Sequence, residues 1–511
     1  YTIVADLDGF NKPTRPSIRL TVGSTATANL TMTVAGRAES ITVTGAAPLI
    51  DTATAEVGVT VTTPQIANLP LNSREFLDLA NLAGAAKPDA FRPYNDVQVG
   101  AISGRFTNVT VDGMDNNREL NGDPNVRLSL DAVQEFKIVT NGFLPEFGRA
   151  SGGLVNVVTK SGTNQFDGTA FTYFRDRSLN ARNAFEIERA PFGRQQGGVA
   201  LGGPIVRNRA HFFANMEAHR INTQKFVITG GLFPQYEGAI AQANRNYLGS
   251  GKADVQINSG QALTGRYSRH RTLTPSENAG GAVTAEAAYT REGIEQSALA
   301  AHTWVMSTRA LNEARVQYSS YEFAEQNNSE LVGVDRGGLV RIGNGGDCCD
   351  AGATERYFEF RNDLSYHATG WAGEHRLKTG VNWKRVQHGG FDNAYKVGQY
   401  VFDTATTFDV NVPATYPSQF RIGVGSGRVE AVNQLIGVYA QDSWKPTTRL
   451  SVNYGVRYDV ELGAVNPGGA PGTRVLVDET RRQTDVNNIA PRMQFTYDVG
   501  GGGTTVIRGG Y

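Results

Sequence analysis

The chain has 511 residues, 59 of them glycine, and 49 basic residues balance 49 acidic ones for a formal net charge of zero. That balance excludes a nucleic-acid binder working through a broad basic field, and 19 % charged residues falls below the roughly 25 % usual for soluble domains. No apolar run approaches the ~18–20 residues of a transmembrane helix, but a mean hydropathy of −0.33 suits a membrane β-barrel, whose strands hide a lipid face in alternation, as well as a soluble protein.

Residues 1–37 carry β-rich alternation (IRLTVGSTATANLTMTV) up to Gly36. The chain starts at Tyr1 and ends at Tyr511 in what read as mid-strand patterns. It therefore reads as a fragment, and a missing leader says nothing about location. Residues 38–160 mix short strands with polar Asn/Asp/Gly loops. A helix is expected within TPQIANLPLNSREFLDLANL, with Ser73 capping a turn that carries Phe76, Leu77 and Leu79.

Beyond residue 166 the chain reads as strand and loop. Thirteen candidate strands lie near 166–177, 196–206, 211–220, 252–258, 262–270, 297–306, 310–322, 355–367, 374–386, 432–443, 450–462, 488–499 and 504–511. Alternation is clearest in LSVNYGVRYD, where Leu450, Val452, Tyr454, Val456 and Tyr458 oppose Ser451, Asn453, Gly455, Arg457 and Asp459. RMQFTYDV repeats it, with Met493, Phe495, Tyr497 and Val499 opposing Arg492, Gln494, Thr496 and Asp498. Short connections (207–210, 259–261, 307–309, 369–373, 444–449) alternate with long polar loops. Outer-membrane barrels have this asymmetry, with short turns on one side and long loops on the other. A ten-residue strand rising about 3.3 Å per residue at ~40° tilt covers the ~25 Å apolar band of that membrane. The opposite face, rich in Arg, Asp, Glu, Asn and Gln, is too charged for a second packed core. It suits a hydrated lumen or one filled by a polar plug. Single-chain bacterial barrels have even strand numbers, so a further strand is expected after Tyr511.

Several features have a bland explanation and a functional one. DGMDNNRELNGDPN (112–125) is dense in oxygen ligands, but its spacing fits no EF-hand, and a solvated loop is favoured. The glycines of EFGRASGGLVNVVTKSGTN open no nucleotide-binding helix; they let strands turn and lie close to a wall. Arg149 and Lys160 are candidates for pairing with lumen carboxylates. Seven scattered histidines form no HExxH, and the adjacent Cys348 and Cys349 make no zinc site, so no catalytic residues, metal or cofactor are expected. Trp304, Trp371, Trp383 and Trp444 fall near strand ends, as interface girdle residues or as core.

Motifs then narrow the choice. VYAQDSWKPTTRLSVNYGVRYD (438–459) resembles the signature hairpin of TonB-dependent outer-membrane receptors, and NNIAPRMQFTYD with TTVIRGGY resembles the next. GRFTNVTVDGMDNN (104–117), residues 129–176 and SLNARNAF (178–185) resemble the plug and first strand of the Oar-like branch. Residues 1–35 resemble the tail of a carboxypeptidase-regulatory-like domain, a non-catalytic transthyretin-like (carbohydrate-binding-like) β-sandwich.

The resemblance implies a mainly β fold: a transmembrane antiparallel β-barrel, about 13 of an expected 22 strands, with an N-terminal α+β plug and the tail of a small sandwich. The divisions it implies are 1–37 (sandwich), 38–45 (TonB box or linker), 46–160 (plug) and 161–511 (partial barrel). It implies a place in the bacterial outer membrane and uptake energised by TonB with ExbB and ExbD. The TonB box is expected at Glu39, Ser40, Ile41, Thr42, Val43, Thr44 and Gly45, because a β-branched stretch without a partner of its own can add as a strand to another sheet. Alternatively these residues are an ordinary linker strand. The DG-x-DN turn, Asp112, Asp115, Asn116 and Asn117, is expected to be structural or to face ligand. A structural or adhesive surface protein on the same barrel, binding peptide or glycan, is the alternative function.

Overall fold

The computed structural model describes residues 2–15, 18, 30–34, 54–69, 71, 74–84, 86–88, 97–99, 102–182, 189–346, 350–370, 372–425, 427–463 and 484–511. The expected TonB box, Cys348, Cys349, Trp371 and Ser73 lie outside the described residues. Of the leading segment, a two-stranded piece pairs Ile3–Val4 with Thr14–Arg15, and a bridge joins Phe10 to Val34.

Residues 54–160 carry a five-stranded mixed sheet of β1 (Val57–Val61), β2 (Thr107–Val111), β3 (Met114–Asp115), β4 (Val133–Asn141) and β5 (Gly153–Thr159), in spatial order β1-β4-β5-β2-β3. The β2–β5 pair is parallel and the others antiparallel. Helical structure here is short. The expected helix splits into α1 (Thr63–Asn68), opened by Pro64 and a Thr62/Gln65 capping box, and a 3₁₀ segment, Phe76–Leu82. Phe76, Leu79, Ala80 and Ala83 keep the i, i+3, i+4, i+7 spacing of a helix face and are all buried, although the segment winds as 3₁₀. The sheet buries its own core: Val61, Ile66, Phe76, Leu79, Val109, Phe136, Ile138 and Val155 are among its members.

Thirteen strands follow in one antiparallel sheet, each paired with the next: β6 (Asp167–Asp176), β7 (Phe192–Val206), β8 (Ala210–Val227), β9 (Gly238–Asn258), β10 (Gln261–Thr274), β11 (Tyr289–Val305), β12 (Ala310–Asn327), β13 (Ala351–Thr369), β14 (Glu374–Asp392), β15 (Arg428–Lys445), β16 (Leu450–Leu462), β17 (Ile489–Asp498) and β18 (Val506–Gly510). The sheet is not closed; β6 and β18 are its edges. Each strand answers one expected from alternation, and β16 has the expected bounds. The main difference is length toward the long loops. β9 has 21 residues, which at about 3.3 Å each and ~40° tilt spans roughly 50 Å, about twice the apolar band. Its first half, GAIAQANRNY, has no lipid to face, so alternation does not mark it. The loops are correspondingly shorter than the sequence suggests; that between β8 and β9 covers only 228–237.

Exposure along β16 and β17 is inverted relative to a soluble sheet. Tyr454 and Val456 are each 42 % exposed while Asn453 and Arg457 on either side of them are 3 % and 6 % exposed. On β17, Met493 is 55 % exposed and Thr496 is fully buried. Leaving a large apolar side chain in water forfeits about 1.5–3 kcal/mol, so a continuous outward stripe of them is tenable only against lipid. Trp304 and Trp444 lie at the short-turn ends of β11 and β15, whereas Trp383 sits within β14 and donates to Gln434 at 3.0 Å.

Candidate functional site

The charged inner face of the wide sheet meets the 54–160 unit through many polar contacts, beside a small apolar one of Ala132 with Ala200 and Phe213. The contact begins at a two-residue hairpin turn. Asp112 (φ 50°) and Gly113 (φ 82°) join β2 to β3 with the positive φ pair of a type I′ turn, which an Asp-Gly sequence supplies. Gly113 also lies close to the wall: a Cβ there would sit 3.2 Å from the Arg315 guanidinium.

Asp112 receives the Thr159 N–H at 2.9 Å and its hydroxyl at 2.8 Å, and pairs with Arg266 of β10 at 2.6 Å and Lys252 of β9 at 3.8 Å. Burial alone would push its carboxyl up; the two wall cations and the Thr159 bonds outweigh burial and hold it below the usual carboxylate range. Asp115 works the same way. Burial opposes its charge, and Lys384 of β14 at 2.7 Å with Arg149 at 3.2 Å overcomes it, lowering the pKa. Lys384 also reaches Glu119 at 2.7 Å and lies 4.0 Å from the Tyr357 ring centroid. Arg149 closes the group by pairing with Glu119. Two cations and two carboxylates thus share one buried cluster, with a single wall residue, Lys384, among them.

Neighbouring bonds extend the seam. Glu355 accepts the N–H groups of Glu119 (2.8 Å) and Leu120 (3.0 Å); Gln317 and Tyr357 donate to the Asp115 carbonyl at 2.8 and 3.0 Å. Arg118 pairs with Glu295 of β11 and lies over the Tyr321 ring. Ser129 donates to Glu217 of β8 at 2.5 Å.

The residues expected at this site divide. Asp112 and Asp115 are spent on wall cations. Asn116 and Asn117, expected with them as structural or ligand-facing, are each 4 % exposed and do not face the lumen. Asn116 exchanges bonds of 3.0 Å with the Val126 backbone, and Asn117 braces Val109, Thr107 and Gly122 at 2.7, 3.0 and 2.9 Å. Arg149 meets carboxylates of its own unit rather than of the wall. Lys160 donates its backbone N–H to Ala132 at 2.8 Å, and its side chain has no ion pair among the described residues. The acid groups of 112–125 are matched by Arg and Lys, and the described residues hold no cluster of His, Cys, Asp and Glu fit for a metal. The wall partners Arg266, Glu295, Glu355 and Lys384 were not singled out from sequence. Their only signal is charge on the polar side of an alternating strand, which many residues share.

The family model for the outer membrane beta barrel domain matches residues 158–235 and 228–511. The chain belongs to this family. Over 230 residues, 42 % of the chain, this outer-membrane barrel protein is 30 % identical to the TonB-dependent transporter Oar of Myxococcus xanthus; the match takes in 21 % of that relative. Among solved structures, it is similar to the outer membrane transporter YddB of Escherichia coli (TM-score 0.68, 13 % identity, 89 % of this chain and 60 % of that one). It is also similar to the siderophore receptor PirA of Acinetobacter baumannii (TM-score 0.58, 14 % identity, 89 % and 60 %). At such identities these structures speak to fold alone. The similarity is to Oar-like TonB-dependent receptors of the bacterial outer membrane, and the chain spans 60 % of each of these two solved relatives.

Proposed function

We propose that the chain is the plug and part of the wall of a TonB-dependent receptor that takes up a large or scarce substrate, with no enzymatic step. One observation carries this: a globule with its own apolar core sits against a charged inner wall through polar bonds. A globule so held can shift by exchanging those bonds for water, without exposing a dry interface. A barrel serving only adhesion gains nothing from such an arrangement. In this reading residues 46–160 are the plug, 161–511 the partial barrel and 1–37 the end of a leading sandwich. Residues 39–45 are the TonB box, working with TonB, ExbB and ExbD. The relatives named as transporter and receptor support the reading; the substrate is left open.

The test is binding of the purified TonB C-terminal domain to the full-length protein in detergent micelles. Binding is expected for the natural sequence. It should weaken at least tenfold for Ile41→Pro or Val43→Pro, because proline removes a strand donor and distorts pairing. Equal binding by the proline variants overturns the TonB-box assignment, and no binding at all by the natural protein overturns coupling to TonB.

A further inference from the structure

Two cavities lie between plug and wall, one above the other. The first, about 840 Å³, opens among the short turns, where Arg309, Tyr366 and Arg376 line it. The second, about 470 Å³, lies toward the long loops, lined by Lys384, Glu461 and Asn488. Both are lined by Thr110, Glu146, Phe147 and Arg361. They therefore meet at one place, the plug loop 144–149 with the wall opposite it.

That loop is held by cations from four different strands. Lys378 of β14 pairs with Glu146, and Arg361 of β13 stands 3.8 Å from the same carboxylate. Arg457 of β16 donates to the Pro145 carbonyl at 3.3 Å, and Arg492 of β17 donates to those of Leu144 and Phe147 at 2.7 and 2.8 Å. Gln441 of β15 adds a bond from each end of its amide: it accepts the Glu146 N–H at 3.0 Å and donates to the Glu146 carboxylate at 3.3 Å. Glu146 is the loop's one anionic side chain, and it faces the point where the cavities meet.

We propose that the two cavities are halves of a solute passage along the wall, and that Glu146 is the latch closing it at rest. The passage is distinct from displacement of the whole plug: only a six-residue loop has to swing for the halves to join. Its walls suggest the solute. Arg315 and Arg361 are matched by Asp363 at 3.0 and 2.8 Å, and Lys137 by Glu56. Cations exceed anions in the half among the short turns and anions exceed cations in the half toward the long loops, so the lining balances only over the whole passage; such a passage suits small polar solutes with no net charge, zwitterions included. The proposal rests on the plug-in-barrel reading but not on TonB, whose binding is measured separately.

The test uses the full-length protein in planar bilayers and in liposomes. The natural protein should conduct rarely. Glu146→Gln and Lys378→Met should each raise the conducting fraction about tenfold or more, the effect of losing one charge-assisted bond. The paired exchange Glu146→Lys with Lys378→Glu should return it toward the natural level. A disulfide joining Glu146→Cys to Lys378→Cys should abolish conduction until reduced. Liposomes carrying Glu146→Gln should swell at similar rates in a neutral sugar and in a zwitterion such as glycine betaine. Single variants that migrate as folded barrels yet conduct no more than the natural protein overturn the latch, and swelling that favours ions of one sign overturns the solute class.

Discussion

Lys384 is the wall's single contribution to the cluster formed with Asp115, Glu119 and Arg149, and its side chain is 3 % exposed. Replacing it with methionine keeps the length and the contact with Tyr357 but removes the charge. Asp115 and Glu119, at 12 % and 9 % side-chain exposure, are then left sharing Arg149 alone. Breaking a buried pair by removing one partner costs about 3–5 kcal/mol, because the remaining charge stays buried. The higher figure needs a rigid site; Arg149 is 37 % exposed and can move toward the two acids, so the expected cost is near 3 kcal/mol, a factor of roughly 100 in a local opening equilibrium. Hydrogen exchange in micelles reads this directly. The amides of Asn116 and Asn117, and that of Glu119, which donates to Glu355, should exchange about 100-fold faster in Lys384→Met, while those of β4 and β5 in the plug core should not change. Protection at 116–119 within a factor of three of the natural protein refutes the view that the wall cation seats this turn.

Two further outcomes follow from the same geometry. Asp112 has a folded pKa below its unfolded value of about 3.9, so its contribution is present above about pH 4 and is lost as pH falls through the lower folded value. Asp112→Asn should therefore weaken plug seating at neutral pH and flatten its loss below pH 4, followed by limited proteolysis of the plug across a pH series. On the lipid face, Val456→Arg should destabilise the barrel by about 2–4 kcal/mol if the site lies near the midplane, measured by urea unfolding in bilayers; a change under 0.5 kcal/mol would contradict lipid contact at this strand.

Period-2 alternation made the barrel legible because each strand separates lipid from a polar interior, and one slip of register would put Arg457 into lipid. The signal fails where that separation ends. Residues 238–247 extend β9 beyond the length an apolar band needs, and their side chains carry no alternation of apolar and polar. The plug was legible in outline, through its short strands and the Asp-Gly turn, but not its contacts. Asn116 and Asn117 look like surface polar residues in a loop; only the fold reveals that their amides replace missing backbone partners. Lys384 and Arg361 both lie on the polar side of neighbouring strands, and nothing in either local sequence says which one reaches Asp115 and Glu119. Pairing across more than 200 residues is decided by the register of the whole sheet.

The seam's chemistry differs from that of either body it joins. The plug's apolar residues, from Val61 to Val157, are mostly spent inside it and the barrel's mostly on lipid, and only a small cluster of Ala132 with Ala200 and Phe213 crosses between the two among the described residues. What remains between them is charge and amide, where each bond formed replaces one with water and nets only about 0.5–1.5 kcal/mol, somewhat more when charged. Such a seam is specific, since an unmatched buried charge is costly, but it is not strong per bond. Force applied ahead of β1 meets these bonds in turn rather than together. The Ala55 N–H to Gln494 (3.1 Å) is the seam bond nearest the pull, with the Lys137–Glu56 pair inside the plug beside it, and the Asp112 and Asp115 clusters lie beyond the β4 and β5 strands. A plug built this way yields at its N-terminal end first while its core sheet and the Lys384 cluster still hold.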